Sequence, residues 1–113
     1  MRKRCKKGAS ALREIRLKRL QRLRQRIDEL DVEVLQSINT RLKMVRQIGC
    51  LKRELGLPVF QRQRWQQLLK DRIEIAEHKF SLNKQFSQKL FTVIHGEALR
   101  LQRILGRRGG KSQ

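Results

Sequence analysis

Between Leu20 and Ile48 the apolar residues Leu20, Leu23, Ile27, Leu30, Val34, Ile38, Leu42, Val45 and Ile48 recur at steps of three and four. That is the period of a helix with one apolar face, and no proline interrupts it before Pro58, the only proline in the chain. The pattern predicts one helix from Ala11 to about Leu55. A helix of about 40 residues is long for a chain of 113, and its apolar stripe needs a partner to cover it. Gly56-Leu57-Pro58 supplies the stop, since glycine tolerates a left-handed cap and proline cannot continue the turn. A second helix is expected from about Arg62 to His78, with Trp65, Leu68, Leu69, Ile73 and Ala76 on one side. Phe80-Ser81-Leu82-Asn83 is the next break, where Ser81 or Asn83 caps a third helix. That helix carries Phe86, Leu90, Phe91, Ile94, Ala98, Leu101 and Leu105 before a glycine-rich end.

The expected fold is therefore all-α, one long helix plus two shorter ones, with residues 12–106 as the domain between a flexible basic arm (1–11) and a flexible basic tail (107–113). Two chains pairing along the long helix is the simplest way to cover its stripe; a bundle made by kinking that helix is the other. No apolar run approaches the roughly 20 residues that span a bilayer, and Met1-Arg-Lys-Arg-Cys-Lys-Lys lacks the apolar stretch of a secretory signal. A soluble, cytoplasmic protein with no membrane partner is expected. Cys5 and Cys50 have neither metal-ligand spacing nor a reason to pair, and read as an exposed thiol and a small core residue.

The charge is unevenly spread. Lys and Arg number 29 against 10 Asp and Glu, a net charge of +19. Residues 1–26 hold 12 basic and 1 acidic residue, residues 27–99 hold 12 and 9, and residues 100–113 hold 5 and 0. Basic ends of this kind suit phosphates, and Arg2, Lys3, Arg4, Lys6, Lys7, Arg107 and Arg108 are the candidates for nucleic-acid contact. The alternative is a solvated polybasic tail.

Polar side chains also sit within the helical stripes where a core would take Leu. Arg24, Arg41 and Lys52 lie on the long helix, Arg64 opens the second and Gln102 is near the end of the third. Arg41 and Lys52 are about 20° apart around the axis and ~16 Å apart along it, on one face and with room for a small anion between long side chains. Arg24 is ~25 Å from Arg41, so one chain cannot bring both to one small ligand, whereas the antiparallel long helix of a second chain can. Taken alone, this pattern does not separate an anion site from solvated helix residues that share a face by chance.

The ordered set of motifs resembles the all-helical chorismate mutases. Leu23-Arg24-Gln25-Arg26-Ile27-Asp28-Glu29-Leu30-Asp31 is similar to the start of that family's first helix, followed by Leu35-Gln36-Ser37-Ile38-Asn39-Thr40-Arg41 and Ile48-Gly49-Cys50-Leu51-Lys52. The likeness continues through Gly56-Leu57-Pro58-Val59 and ends at Ile94-His95-Gly96-Glu97-Ala98-Leu99-Arg100-Leu101-Gln102, covering about residues 20 to 105. The resemblance implies an intertwined helical homodimer that isomerises the dianion chorismate to prephenate without a cofactor or metal, in aromatic amino-acid biosynthesis. It implies that Lys52 and Gln102 donate to the breaking ether oxygen. Arg41 and the second chain's Arg24 would clamp the carboxylates, with Arg64 in support and Gln61 in place of a hydroxyl-binding carboxylate. Where many members have Asp-Pro-x-Arg-Glu, this chain has Gln61-Arg62-Gln63-Arg64-Trp65, and Ala98 stands where many have Ser. Gln61, Trp65 and His95 look like the branch fused to DAHP synthase, with His95 read as structural. The contrasting expectation is a mutase-like fold recruited as a basic RNA-binding or ribosome-associated protein with a vestigial pocket.

Overall fold

The computed structural model describes the backbone of residues 2–112 and the side chains of residues 8–106. Three helices are present, α1 (Arg2–Glu54), α2 (Arg62–Phe80) and α3 (Lys84–Ser112), and no strand occurs among the described residues. The chain is all-α, with the long helix first and two shorter ones after it.

Two expectations about helix ends are corrected. α1 begins at Arg2 rather than near Ala11, and α3 continues to Ser112 rather than ending near Leu105. Arg, Lys and Ala are strong helix formers and no proline lies in either segment, so the helix continues although Gly106, Gly109 and Gly110 each cost it about 1 kcal/mol. Residues 2–11 and 107–112, expected as parts of flexible basic ends, carry helical backbone. The side chains of Arg2, Lys3, Arg4, Lys6, Lys7, Arg107 and Arg108, and that of Cys5, lie outside the described residues. α1 runs as one helical element from Arg2 to Glu54.

α1 stops where the glycine allows it to. Gly56 takes φ +68, Leu57 N–H donates to the Lys52 carbonyl at 2.7 Å and Gly56 N–H to the Arg53 carbonyl at 3.1 Å, so two otherwise orphaned carbonyls are satisfied in a Schellman closure. At the second break both candidate caps have separate duties. Ser81 closes α2 in the left-handed conformation (φ 53), and Leu82 N–H donates to the Ala76 carbonyl at 2.8 Å. Asn83 is the N-cap of α3, its Oδ1 accepting from Phe86 N–H at 2.9 Å. Asn83→Ala is expected to lower unfolding free energy by about 1 kcal/mol, the usual loss when a side-chain cap is removed, measured as a lower urea midpoint at unchanged slope.

The chain divides into two compact units, residues 1–40 and 41–113. The first is the N-terminal part of α1. Its expected stripe exists but is uncovered in a single chain: Leu20, Leu23, Ile27, Leu30 and Val34 are all exposed, Ile27 at 55%. The second unit holds the rest of α1 with α2 and α3. Its buried apolar residues are Val45, Leu68, Ala76 and Ala98, and α2 packs on α3. α1 approaches α3 at Gly49, where an added Cβ would lie 3.1 Å from Gln102 Cγ. Cys50 is exposed rather than a core residue, because it sits about 100° around the helix from Gly49, the position that faces α3.

Candidate active site

One face of each element in the second unit converges on a cavity of about 300 Å³. From α1 come Arg41, Val45, Ile48 and Lys52; from the start of α2, with the residue before it, come Gln61, Arg64 and Leu68; from α3 come His95, Ala98, Leu99 and Gln102. The spacing explains the membership. Positions 41, 45, 48 and 52 are steps of four, three and four on α1, and 95, 98, 99 and 102 are the same stripe on α3. The volume is at the lower end of what small-molecule pockets enclose.

Lys52 is tied at both sides. Its Nζ donates to the Val59 carbonyl at 2.6 Å and to Gln102 Oε1 at 3.0 Å. An ammonium carries three protons, so one remains for a ligand. The same contact orients Gln102: with Oε1 accepting from Lys52, the amide Nε2 is left to donate. Gln102 is buried, at 6% exposure, so its amide is held by packing as well as by the bond. Burial lowers the Lys52 pKa from the ordinary lysine value.

Arg41 is in a different condition. Its Nη1 is buried and has no hydrogen-bond partner. Burial lowers its pKa first, and the charges of Arg72 and Arg64 lower it further. A buried donor without an acceptor costs on the order of 1–3 kcal/mol, and like charges nearby add to that cost, so Arg41 is held in a strained electrostatic position that an anion would relieve.

His95 is stacked on Trp65, ring centroids 4.1 Å apart and planes 17° from parallel, while Phe60 meets it edge-on at 6.1 Å. Burial lowers the His95 pKa, with the charges of Arg41 and Lys52 adding to the effect. An imidazole held this way is neutral near pH 7, with one nitrogen to donate and one to accept. The lining thus contains Arg41, Lys52, Arg64, one imidazole and two amides, and no carboxylate among the described residues. Such a lining suits a small multiply charged anion.

Of the residues singled out in the sequence, the structure brings Arg41, Lys52, Gln61, Arg64 and Gln102 to this one cavity. Arg24 belongs to the first unit, is exposed, and is not among the lining residues. Trp65 does not line the cavity either; it braces His95. Sequence reading treated His95 as structural alone and missed the Val59 carbonyl. The signal for His95 was available, since it lies seven residues before Gln102 and so on the same helical face. A loop carbonyl leaves no such trace.

The chorismate mutase type II family matches the chain over residues 23–103. The match contains every residue that lines the cavity and leaves the first 22 residues outside it. No curated protein matches the chain at a significant level.

Proposed function

Because the chain belongs to the chorismate mutase type II family, we propose that this cavity isomerises chorismate to prephenate by a Claisen rearrangement, within aromatic amino-acid biosynthesis and in the cytoplasm, where a charged soluble substrate is at hand. The observation that carries the reading is the pairing of a buried, partnerless Arg41 Nη1 with a Lys52–Gln102 donor pair in a cavity that no carboxylate lines among the described residues.

The reaction is unimolecular: one carbon–oxygen bond breaks while one carbon–carbon bond forms. It calls for no nucleophile, and the protein's task is to hold a compact conformer and meet the charge that grows on the ether oxygen. Arg41 engages a carboxylate, gaining a charge-assisted bond in place of an unsatisfied donor. The free proton of Lys52 and the Nε2 of Gln102 point their donation at the ether oxygen. Because these donors are already fixed by Val59 and by each other, they need little rearrangement when charge appears, and their contribution falls on the transition state more than the ground state. Arg64 adds positive potential. Gln61 and neutral His95 offer amide and imidazole partners to the substrate hydroxyl, a task that carboxylates serve in the commoner motif. With Gln61, Trp65 and His95 in these places, the chain is closest in character to the branch fused to DAHP synthase.

The second carboxylate falls to Arg24 of a second copy. The uncovered stripe of Leu20, Leu23, Ile27, Leu30 and Val34 supports a homodimer, since exposed apolar surface of this extent is stabilised by burial. An intertwined dimer in which each chain lends Arg24 to its neighbour has a testable signature. Arg24→Ala and Lys52→Ala proteins, each nearly inactive alone, are expected to regain about a quarter of the parent activity when unfolded and refolded together in equal amounts, since half the dimers are mixed and each mixed dimer holds one intact site. Loss of chorismate absorbance measures it. If the mixture stays inactive while size-exclusion chromatography and circular dichroism show folded dimers, sharing of Arg24 is wrong.

A further inference from the structure

The mutase reading leaves the first part of α1 unexplained. Residues 8–22 lie outside the family match and add helix that the cavity does not use. They contain Arg13, Arg16, Lys18, Arg19 and Arg22 against a single acid, Glu14, and all five cations are exposed. The described ion pairs of the chain, Arg26 with Glu29, Arg72 with Asp71 and Arg100 with Glu97, involve none of the five. Among the described residues, no ion pair compensates their charge.

How these charges are arranged decides between polyanions. At about 100° per residue the five cations span roughly 220° of the helix circumference, and Leu12 and Leu20 lie among them instead of on an opposite side. A helix lying in a membrane surface needs the reverse, one apolar face sunk in lipid and the cations on the other, and it gains from aromatic anchors. The first aromatic residue of this chain is Phe60. The same lack removes stacking on unpaired bases, so a single strand is a poor fit as well. A helix with cations around more than half its girth fits between two walls of phosphate. The major groove of a B-form duplex, about 12 Å wide, admits an α-helix and presents phosphates on both sides.

We infer that the N-terminal segment of α1, residues 8–22, docks against the phosphate backbone of B-form duplex nucleic acid through Arg13, Arg16, Lys18, Arg19 and Arg22. The contacts position the protein and carry little sequence information, because phosphate is the same at every step. Binding is independent of the mutase pocket.

The test is fluorescence anisotropy with the full-length chain and a labelled random-sequence DNA duplex of about 24 base pairs, long enough for two turns. Each neutralised phosphate contributes about −0.9 to the slope of log affinity against log salt. Changing all five cations to Gln, itself a good helix former, is expected to flatten the slope by about 4.5 and to weaken binding by at least ~100-fold near 100 mM salt. A milder variant, Lys18→Gln with Arg22→Gln, should flatten it by about 1.8. Circular dichroism reports that both variants remain helical, and their chorismate turnover should equal the parent's, whatever that is. Binding that ignores salt, or that survives the five changes, overturns the inference. So does tighter binding to vesicles of phosphatidylcholine with about a third phosphatidylglycerol, which would make the partner a lipid surface. Tighter binding to an RNA duplex, whose major groove is too narrow for a helix, overturns the groove geometry.

Discussion

Lys52→Ala is expected to lower kcat/KM for chorismate by about two to three orders of magnitude, most of it in kcat, the size of effect seen when one preorganised donor to a developing oxyanion is removed. The structure explains why the loss is compound. Lys52 holds Gln102 through the 3.0 Å bond to Oε1, so on the proposed reading the alanine protein loses one donor and the orientation of the other. It also leaves the Val59 carbonyl without its 2.6 Å partner. Gln102→Ala is therefore expected to cost less than Lys52→Ala, and the double variant scarcely more than Lys52→Ala, because the two residues work as a unit. Loss of chorismate absorbance under saturating and limiting substrate measures both parameters. An alanine protein that is folded by circular dichroism and turns over chorismate within a fewfold of the parent would remove Lys52 from the chemistry. A parent chain without turnover would remove the mutase reading altogether, and would leave untouched any binding of nucleic acid by residues 8–22.

Arg41→Ala has the second large effect, and its sign differs between function and stability. Activity is expected to fall by ~100-fold or more in kcat/KM, since a charge-assisted bond to a carboxylate is worth about 1.5–3 kcal/mol and the proposed role of the guanidinium includes ordering the substrate. Stability of the free protein should not fall with it. Arg41 Nη1 is buried without a partner, and Arg64 and Arg72 press like charge on the group, so its removal relieves a cost that only a ligand repays. The expected result is a melting temperature equal to or above the parent's. Conversely, a dicarboxylate ligand should raise the parent's melting temperature and leave the alanine protein's almost unmoved, by mass action on the folded state. Thermal unfolding with and without prephenate measures it. A destabilised, fully active Arg41→Ala protein would mean that Arg41 supports structure and does not meet substrate.

Much of this molecule is legible from local pattern. The i, i+3, i+4 recurrence from Leu20 to Ile48 marks α1, Gly56-Leu57-Pro58 marks its end, and Asn83 marks the start of α3; each depends on interactions within a few residues and is carried by residue type. The helix ends at Arg2 and Ser112 were not legible, because a polybasic segment reads equally as solvated coil and as helix when it contains good helix formers. Arg41, Lys52 and Gln102 could be named as site candidates through family likeness, yet nothing local says that positions 52 and 102 are hydrogen-bonded across 50 residues of chain. The stack of Trp65 on His95 belongs to the same class of fact.

The amino-acid sequence by itself determined the helical class, the order of the three elements and the imbalance of charge between residues 1–26 and the rest, since helical period, capping and charge are properties of neighbours along the chain. Only the tertiary structure decided that Lys52 spends two of its protons on Val59 and Gln102, that Arg41 is left with a buried donor unmet, and that Trp65 serves His95 rather than the cavity. The physical reason is that these depend on where α1, α2 and α3 meet. Gly49, by letting α1 come close to α3 at Gln102, shows how one missing Cβ sets that meeting point.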